Sequence, residues 1–293
     1  MTDKQKRLVD LHIHSCHSDG LHTPVELVRR AKTRGLAAIA IADHDAVEGI
    51  DEALEAGSQY GIEVIPAVEL SVELDEYRDV HVLGYLIDHH DQLFRKQLAL
   101  FRSRREERGR LIVKRINEQL AAEHHEPIRY EEAVATAEGA LGRPHIARLL
   151  LAKGIVRTMQ DAFLRYLGPC DVPKEYFPFD KALKEIRRIG GVSVLAHPPS
   201  ISQDREILGT VIRGLVERGL DGIEVFNNMC YKEDSLFLAG LAAETGLIST
   251  GGSDFHGGDS DTEIGSLRNG LKVSYECVEK LKDRQSRRIL SAT

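Results

Sequence analysis

Short apolar runs rich in Val, Ile and Ala recur along this chain of 293 residues, and helix-length amphipathic segments separate most of them. The runs lie at residues 9–13, 37–42, 64–67, 80–85, 192–196, 222–226 and 248–250, with helices expected at 24–34, 47–60, 179–189, 205–218 and 233–245. A strand that is apolar on both faces must be covered on both, which is the demand of a parallel sheet built from strand–helix–strand units. Seven such strands predict a barrel, in which function gathers at the C-terminal strand ends. The first helix carries its own punctuation: Thr23 as cap, Pro24 at the first helical position and Gly35 beyond the last turn.

The alternation fails between about residues 88 and 177, which read as helical throughout, with helices near 93–122, 143–153 and 158–167. The expectation is an α/β barrel domain made of 1–87 and 178–293. Residues 88–177 would be an inserted helical subdomain roofing the active site.

Hydrophobic content of 42% and charged content of 29% are ordinary for a water-soluble enzyme. No apolar run approaches membrane-spanning length. Residues 1–7 lack the apolar core of a signal peptide, so a cytoplasmic location is expected. Four scattered cysteines suggest neither a disulfide framework nor a zinc knuckle. Net charge is −7, yet residues 95–115 hold nine Lys or Arg against two acidic residues. Such an island suits anionic ligands better than general adhesion to nucleic acid.

Nine residues able to bind metal sit in five clusters beside the expected strand ends: His12 and His14 with Asp19; His44; Glu69 followed by His81; His197; and Asp254 with His256. They exceed the roughly four to six ligands of one ion, so several ions are implied, and multinuclear sites commonly do hydrolysis. Asp10, His12 and His14 alternate with period two and so share one strand face, with Asp10 placed to orient an imidazole. Asp43 and Asp45 flank His44 and could do the same. Cys16 and His17 lie near the cluster without a clear role. His22, His89, His90, His124 and His125 read as solvated.

These motifs, taken in order, resemble the PHP (polymerase and histidinol phosphatase) superfamily. The matching stretches are Asp10-Leu-His-Ile-His14 with Ser18-Asp19-Gly20, Asp43-His44-Asp45, Pro66-Ala-Val-Glu69-Leu-Ser71, His81, Ala196-His197-Pro198 and Gly252-Ser-Asp254-Phe-His256. The resemblance implies a distorted (β/α)7 barrel and a phosphoesterase site of two or three divalent ions, manganese foremost and iron or zinc as alternatives. Carried over, His12, His14, Glu69 and Asp254 would hold the first ion. Glu69 would bridge to a second completed by His81 and His197, and Asp19, His44 and His256 would hold a third. Glu69, His197, Asp254 and His256 would be the catalytic set.

Within that superfamily Gly142-Arg143-Pro144-His145-Ile146-Ala147-Arg148 and Val172-Pro173-Lys174-Glu175 resemble the branch of nucleoside 3′,5′-bisphosphate phosphatases and a 5′-to-3′ exoribonuclease. Relatives there often carry a histidine in the stretch matching Asn227-Asn228-Met229-Cys230-Tyr231, which this chain lacks. In the long helix the apolar stripe Phe94, Leu98, Phe101, Ile112, Ile116, Leu120 skips two steps, filled by Arg105 and Arg108. Unpaired guanidinium groups are prohibitive in a core. The pair therefore either faces a phosphate or pairs with carboxylates of the barrel. Arg143, His145 and Lys174 are further candidates to clamp phosphate.

The expected activity is removal of the 3′-phosphate from nucleoside 3′,5′-bisphosphates through a metal-bridging hydroxide. The alternative is 5′-to-3′ hydrolysis of short 5′-phosphorylated RNA. Histidinol phosphatase, amidohydrolase and non-catalytic nucleotide-binding readings rank below both. The expected partner is thus a small nucleotide or short oligoribonucleotide, with neither membrane nor stable double-stranded nucleic acid.

Overall fold

The computed structural model describes residues 7–135, 142–258 and 263–292. The chain forms two compact units, Met1–Arg95 with Tyr176–Thr293, and Lys96–Glu175.

The first unit is a mixed α/β structure with ten strands described: β1 Leu8–Ile13, β2 Ala38–Ile41, β3 Glu63–Val64, β4 Ala67–Leu74, β5 Tyr77–Tyr85, β6 Phe177–Pro178, β7 Val192–Leu195, β8 Gly222–Phe226, β9 Ile248–Gly251 and β10 Val273–Ser274. They form a four-stranded sheet in the order β10-β1-β2-β3 and a six-stranded sheet in the order β6-β4-β5-β7-β8-β9. Pairing is parallel between β1, β2 and β3 and between β7, β8 and β9. The closed single sheet expected from the seven apolar runs is not what the strand assignment gives. Instead, two isolated parallel bridges, His44 to Glu69 and Ile13 to Phe255, stitch one sheet to the other.

Two strands correct the all-parallel expectation: the short β10 runs antiparallel to β1, and β5 matters more for the site. β5 runs antiparallel to both β4 and β7. Only Asp75 and Glu76 separate β4 from β5, far too few for the crossover a parallel pair requires, so the two form a hairpin. β4 also extends well past the run read from sequence. Its Val68, Leu70, Val72 and Leu74 alternate and are all buried. Glu69 therefore lies inside β4 rather than beyond its end, and His81, within β5 as expected, stands opposite Ser71 in the same hairpin.

Burial on both faces is visible in β2. Ala38 and Ala40 pack with Val9, Leu11, Ala67, Leu83, Val192, Val194 and Ile248, a cluster that draws on both sheets. Ile39 and Ile41 pack the other way, against Leu27, Val28 and Ala31 of the helix Pro24–Thr33. That helix opens with the expected cap: Thr23 and Glu26 bond reciprocally, and Gly35 follows at φ +69°.

The second unit is helical. It contains most of Gln92–Ala122, then Tyr130–Ala135, Arg143–Ala152 and Met159–Ala162, which runs into a π turn at Phe163–Leu167. Its core is its own, built from Ile112, Ile116, Leu120, Ile146, Leu150, Tyr166 and Leu167 among others. Among the described residues no helix is long and apolar enough to cross a membrane.

Candidate metal centre

All nine ligand-type residues converge in the first unit, with Glu69 at the middle. His12 Nε2 and His14 Nε2 each lie 3.3 Å from Glu69 Oε2, and His44 Nδ1 lies 3.0 Å from the same oxygen. The other oxygen, Oε1, stands 3.1 Å from both His81 Nδ1 and His197 Nε2. One carboxylate thus offers each of its oxygens to a different set of imidazoles, as a bridging ligand must. Asp254 Oδ1 adds to the first set, 3.5 Å from His12 and 3.1 Å from His14. Asp19 gathers a third, 3.3 Å from His256 Nε2, 3.8 Å from His44 Nε2 and 3.6 Å from His14 Nδ1. His44 borders two groups, one with Glu69 and His81 and one with His14, Asp19 and His256.

The donor set fits divalent ions. His12 Nε2, Asp19 Oδ1 and Glu69 Oε2 are shut off from water yet complete no hydrogen bond, an arrangement that costs free energy until something fills it. Mixed imidazole and carboxylate donors suit first-row transition ions. The electrostatics agree. Burial would raise the Glu69 carboxyl, but His44, His12 and His81 outweigh it and hold it well below its usual range. Asp254, likewise buried, is held down chiefly by His12 and His14. Burial pushes His81 down to about 4 in spite of Glu69, leaving a neutral imidazole ready to ligate.

The groups that orient the ligands differ from those expected. Asp10 reaches no imidazole. Its oxygens accept from Ser253 N at 2.8 Å, Ser253 Oγ at 2.6 Å and Gly265 N at 2.7 Å, so it anchors the loop carrying Asp254. Asp43 likewise serves the loop after β1, accepting from Ser15 N, Ser15 Oγ and Ser18 Oγ at 2.6 to 2.7 Å. Asp45 accepts from Ser71 N at 3.1 Å.

The residue that does orient His12 is Glu224, which sequence reasoning missed. His12 Nδ1 donates to Glu224 Oε1 at 3.1 Å, and the amide of His197 donates to Glu224 Oε2 at 2.7 Å. A glutamate with no exposed surface, set in the apolar run Gly222-Ile223-Glu224-Val225-Phe226, was the signal available. Ser200 meets the outer nitrogen of His197 at 3.2 Å, and the carbonyl of Asp254 that of His256 at 2.8 Å.

The backbone is strained at two of the candidate ligands. His197 has φ +25° and Asp254 φ +54°, conformations that L-residues rarely adopt and that gather at functional sites. Gly252 lets the Asp254 loop come close: a Cβ there would lie 2.3 Å from His12 Cβ. His17 stands apart, 3.9 Å from Glu52, and Cys16 is partly exposed with its amide bonded to His22 O. His89, expected to be solvated, is buried.

The five expected phosphate contacts belong to the helical unit. There Arg108 donates from Nε to Val172 O at 2.5 Å and from Nη2 to Asp171 Oδ1 at 2.6 Å. Arg143 donates to Asp171 Oδ2 at 3.1 Å. Asp171, a carboxylate that Arg108 meets, lies within the helical unit itself. His145 is buried at the start of its helix, its Nδ1 accepting from Gly142 N at 2.9 Å. Arg105 and Lys174 are half-buried.

Comparison with known proteins matches this picture. Residues 10–168 match the PHP domain family. The chain is 36% identical to a 5′-3′ exoribonuclease of Haemophilus influenzae, over 84% of this chain and 89% of that one. It is 31% identical to a 3′,5′-nucleoside bisphosphate phosphatase of Chromobacterium violaceum, over 88% and 90% of the two chains. A Bifidobacterium adolescentis structure classed as a metal-dependent phosphoesterase superposes with a TM-score of 0.79 at 29% identity, covering 96% of this chain and 98% of the other. The chain belongs to the PHP family and is a metal-dependent phosphoester hydrolase.

Proposed function

We propose that this enzyme removes the 3′-phosphate of nucleoside 3′,5′-bisphosphates. The observation that carries the phosphoester chemistry is Glu69, whose two oxygens face separate imidazole sets. The nucleotide reading rests on likeness to the bisphosphate phosphatase along nearly the whole chain. A second reading, 5′-to-3′ hydrolysis of short 5′-phosphorylated RNA, rests equally on likeness to the exoribonuclease.

The first ion would be held by His12, His14, Glu69 and Asp254, the second by Glu69, His81 and His197, and the third by Asp19, His44 and His256. Manganese is the proposed metal, on donor type, with iron or zinc as competitors. When bound, such ions lower the pKa of coordinated water and neutralise charge on phosphoryl oxygens. The chain's own part is positional. Glu224 fixes the ring of His12 and the turn at His197; Asp10 fixes the loop of Asp254; the buried walls exclude bulk water.

Arg105, Arg108, Arg143, His145 and Lys174 are proposed for phosphate recognition. Arg108 and Arg143 share Asp171, which would hold both guanidinium forks in place. The distorted (β/α)7 barrel is likewise proposed. It is supported by the two bridges between the sheets and by a core cluster drawing on both.

The test is a substrate panel run with manganese: adenosine 3′,5′-bisphosphate, 5′-phosphorylated oligoribonucleotides, histidinol phosphate and an aryl phosphate. The proposal expects the bisphosphate to give the highest kcat/KM. A higher value on the oligoribonucleotides would replace it with the exoribonuclease reading.

A further inference from the structure

A second group of metal-type side chains lies in the first unit, outside the nine already described: Asp51, His89 and His90. Asp51 sits in the first turn of the helix Ile50–Tyr60, and the two histidines follow β5 in the loop before the helix Gln92–Ala122. His89 Nε2 lies 2.8 Å from Asp51 Oδ1, and His90 Nε2 lies 3.4 Å from the same oxygen. The two imidazoles pack with ring centroids 4.1 Å apart.

A hydrogen bond from His89 alone would satisfy Asp51 and explain the burial of that ring. It leaves His90 unexplained. This side chain is 60% exposed, yet its Nε2 is turned toward the carboxylate oxygen that His89 already engages. Adjacent residues in a loop place both rings on one side only when the backbone turns sharply, and it does. The amide of His90 donates back to Asp88 Oδ1 at 3.0 Å. The neighbouring acid, Asp91, is occupied elsewhere, with Arg188 donating to both its oxygens at 2.7 and 2.9 Å.

Tetrahedral zinc with bonds near 2.0 Å separates its ligand atoms by about 3.3 Å. The His90–Asp51 distance of 3.4 Å already matches that spacing, and the His89–Asp51 distance of 2.8 Å needs to open by only a fraction of an ångström. Asp51 is exposed and free to make that shift. Its carboxyl is held below the usual range, first by the hydrogen bond with His89, so the anionic ligand form prevails at neutral pH. Arg95 also acts on Asp51 electrostatically, which weakens the hold on a cation.

We infer that Asp51, His89 and His90 form a separate site for one borderline divalent transition ion of the zinc, cobalt or nickel type, with a coordination position left for water. The ion would pin the loop after β5 to the helix Ile50–Tyr60. This inference does not depend on the substrate proposed above.

The test is a cobalt titration of the full chain at pH 7.5, read by stoichiometry and by the visible absorption of the ion. Wild type is compared with Asp51→Asn and His90→Ala. Both altered side chains are exposed, so folding is spared, whereas the buried His89 is less suited to the purpose. Each variant is expected to bind one equivalent fewer, or to bind the last equivalent at least about tenfold more weakly, since a lost ligand costs no less than a lost outer partner. Manganese-supported phosphoesterase activity should stay at the wild-type level. Equal stoichiometry and affinity in all three proteins would overturn the inference. So would a parallel loss of activity, because the ion would then belong to the main centre.

Discussion

Glu224 and His12 are 212 residues apart in the chain, yet Glu224 Oε1 accepts from the ring of His12 at 3.1 Å while its other oxygen accepts the amide of His197 at 2.7 Å. Substituting Glu224→Gln removes the charge and forces an amide N–H toward one of these two donors. The expected result is a 10- to 100-fold loss of metal affinity, the usual effect of losing a partner behind a ligand, at roughly 10–100-fold. Metal titration checks it; unchanged affinity would show that Glu224 only fills space.

Glu69→Gln should be more severe. The neutral amide presents one oxygen where two are used, so the bound metal should fall by at least one equivalent. Activity should drop by at least about 100-fold, the upper end for loss of an outer partner alone. Elemental analysis and steady-state kinetics on the same preparation decide this.

Gly252→Ala tests the close approach of the Asp254 loop. Its new methyl would lie 2.3 Å from His12 Cβ and 2.4 Å from His12 N, so the loop must move. A stability loss of about 1–3 kcal/mol, as for other overpacked sites, is expected with a matching fall in metal content. Calorimetry showing wild-type stability would refute the crowding argument.

Protein stripped of divalent ions should show a pH optimum of stability. Burial acts to lower His256, but the hydrogen bond and charge of Asp19 override it and raise it to about 9, whereas burial lowers His81 to about 4. Between about 6.5 and 9 the folded chain binds the extra proton through His256, so stability falls as pH rises. Between about 4 and 6.5 the unfolded chain binds more protons through His81, so stability climbs with pH. The melting temperature should therefore peak near pH 6.5 in chelated protein. Loading with metal should remove the decline toward pH 9, since ligands deprotonate to bind. A flat profile in the stripped protein would contradict the assignment.

Arg105→Ala and Arg108→Ala should differ. Arg108 is largely buried against Asp171 and Val172 O, so its loss is expected to cost about 1–3 kcal/mol by stranding their acceptors. Arg105→Ala should instead raise KM for a bisphosphonucleotide while sparing an aryl phosphate. Equal effects on both substrates would make Arg105 structural.

The candidate ligands are legible in sequence because most sit in a local pattern, such as the period-two spacing of His12 and His14 or the glycine-rich approach to Asp254. Their supporting partners are not. Nothing local in Gly222–Phe226 names His12 as the partner of Glu224, and nothing near Arg108 names Asp171, 63 residues on. Asp10 and Asp43 were read as ring acceptors because they stand beside histidines, yet each holds a loop. The direction of β5 was hidden for another reason. The run ending at Ala67 concealed the polar alternation of Glu69, Ser71 and Glu73, which extends β4 to within two residues of its neighbour.

Glu69 joins more than the two imidazole sets. Its amide donates to Asp43 O at 3.2 Å and its carbonyl accepts from Asp45 N at 2.9 Å, so the residues either side of His44 are hydrogen-bonded to the residue that bridges the imidazole sets. Breathing of the chain at this seam would carry His44 away from Glu69 at the same moment. Deuterium uptake at the amides of Asp45 and Glu69 should therefore keep time with the release of metal, turning a main-chain contact into a clock for the centre.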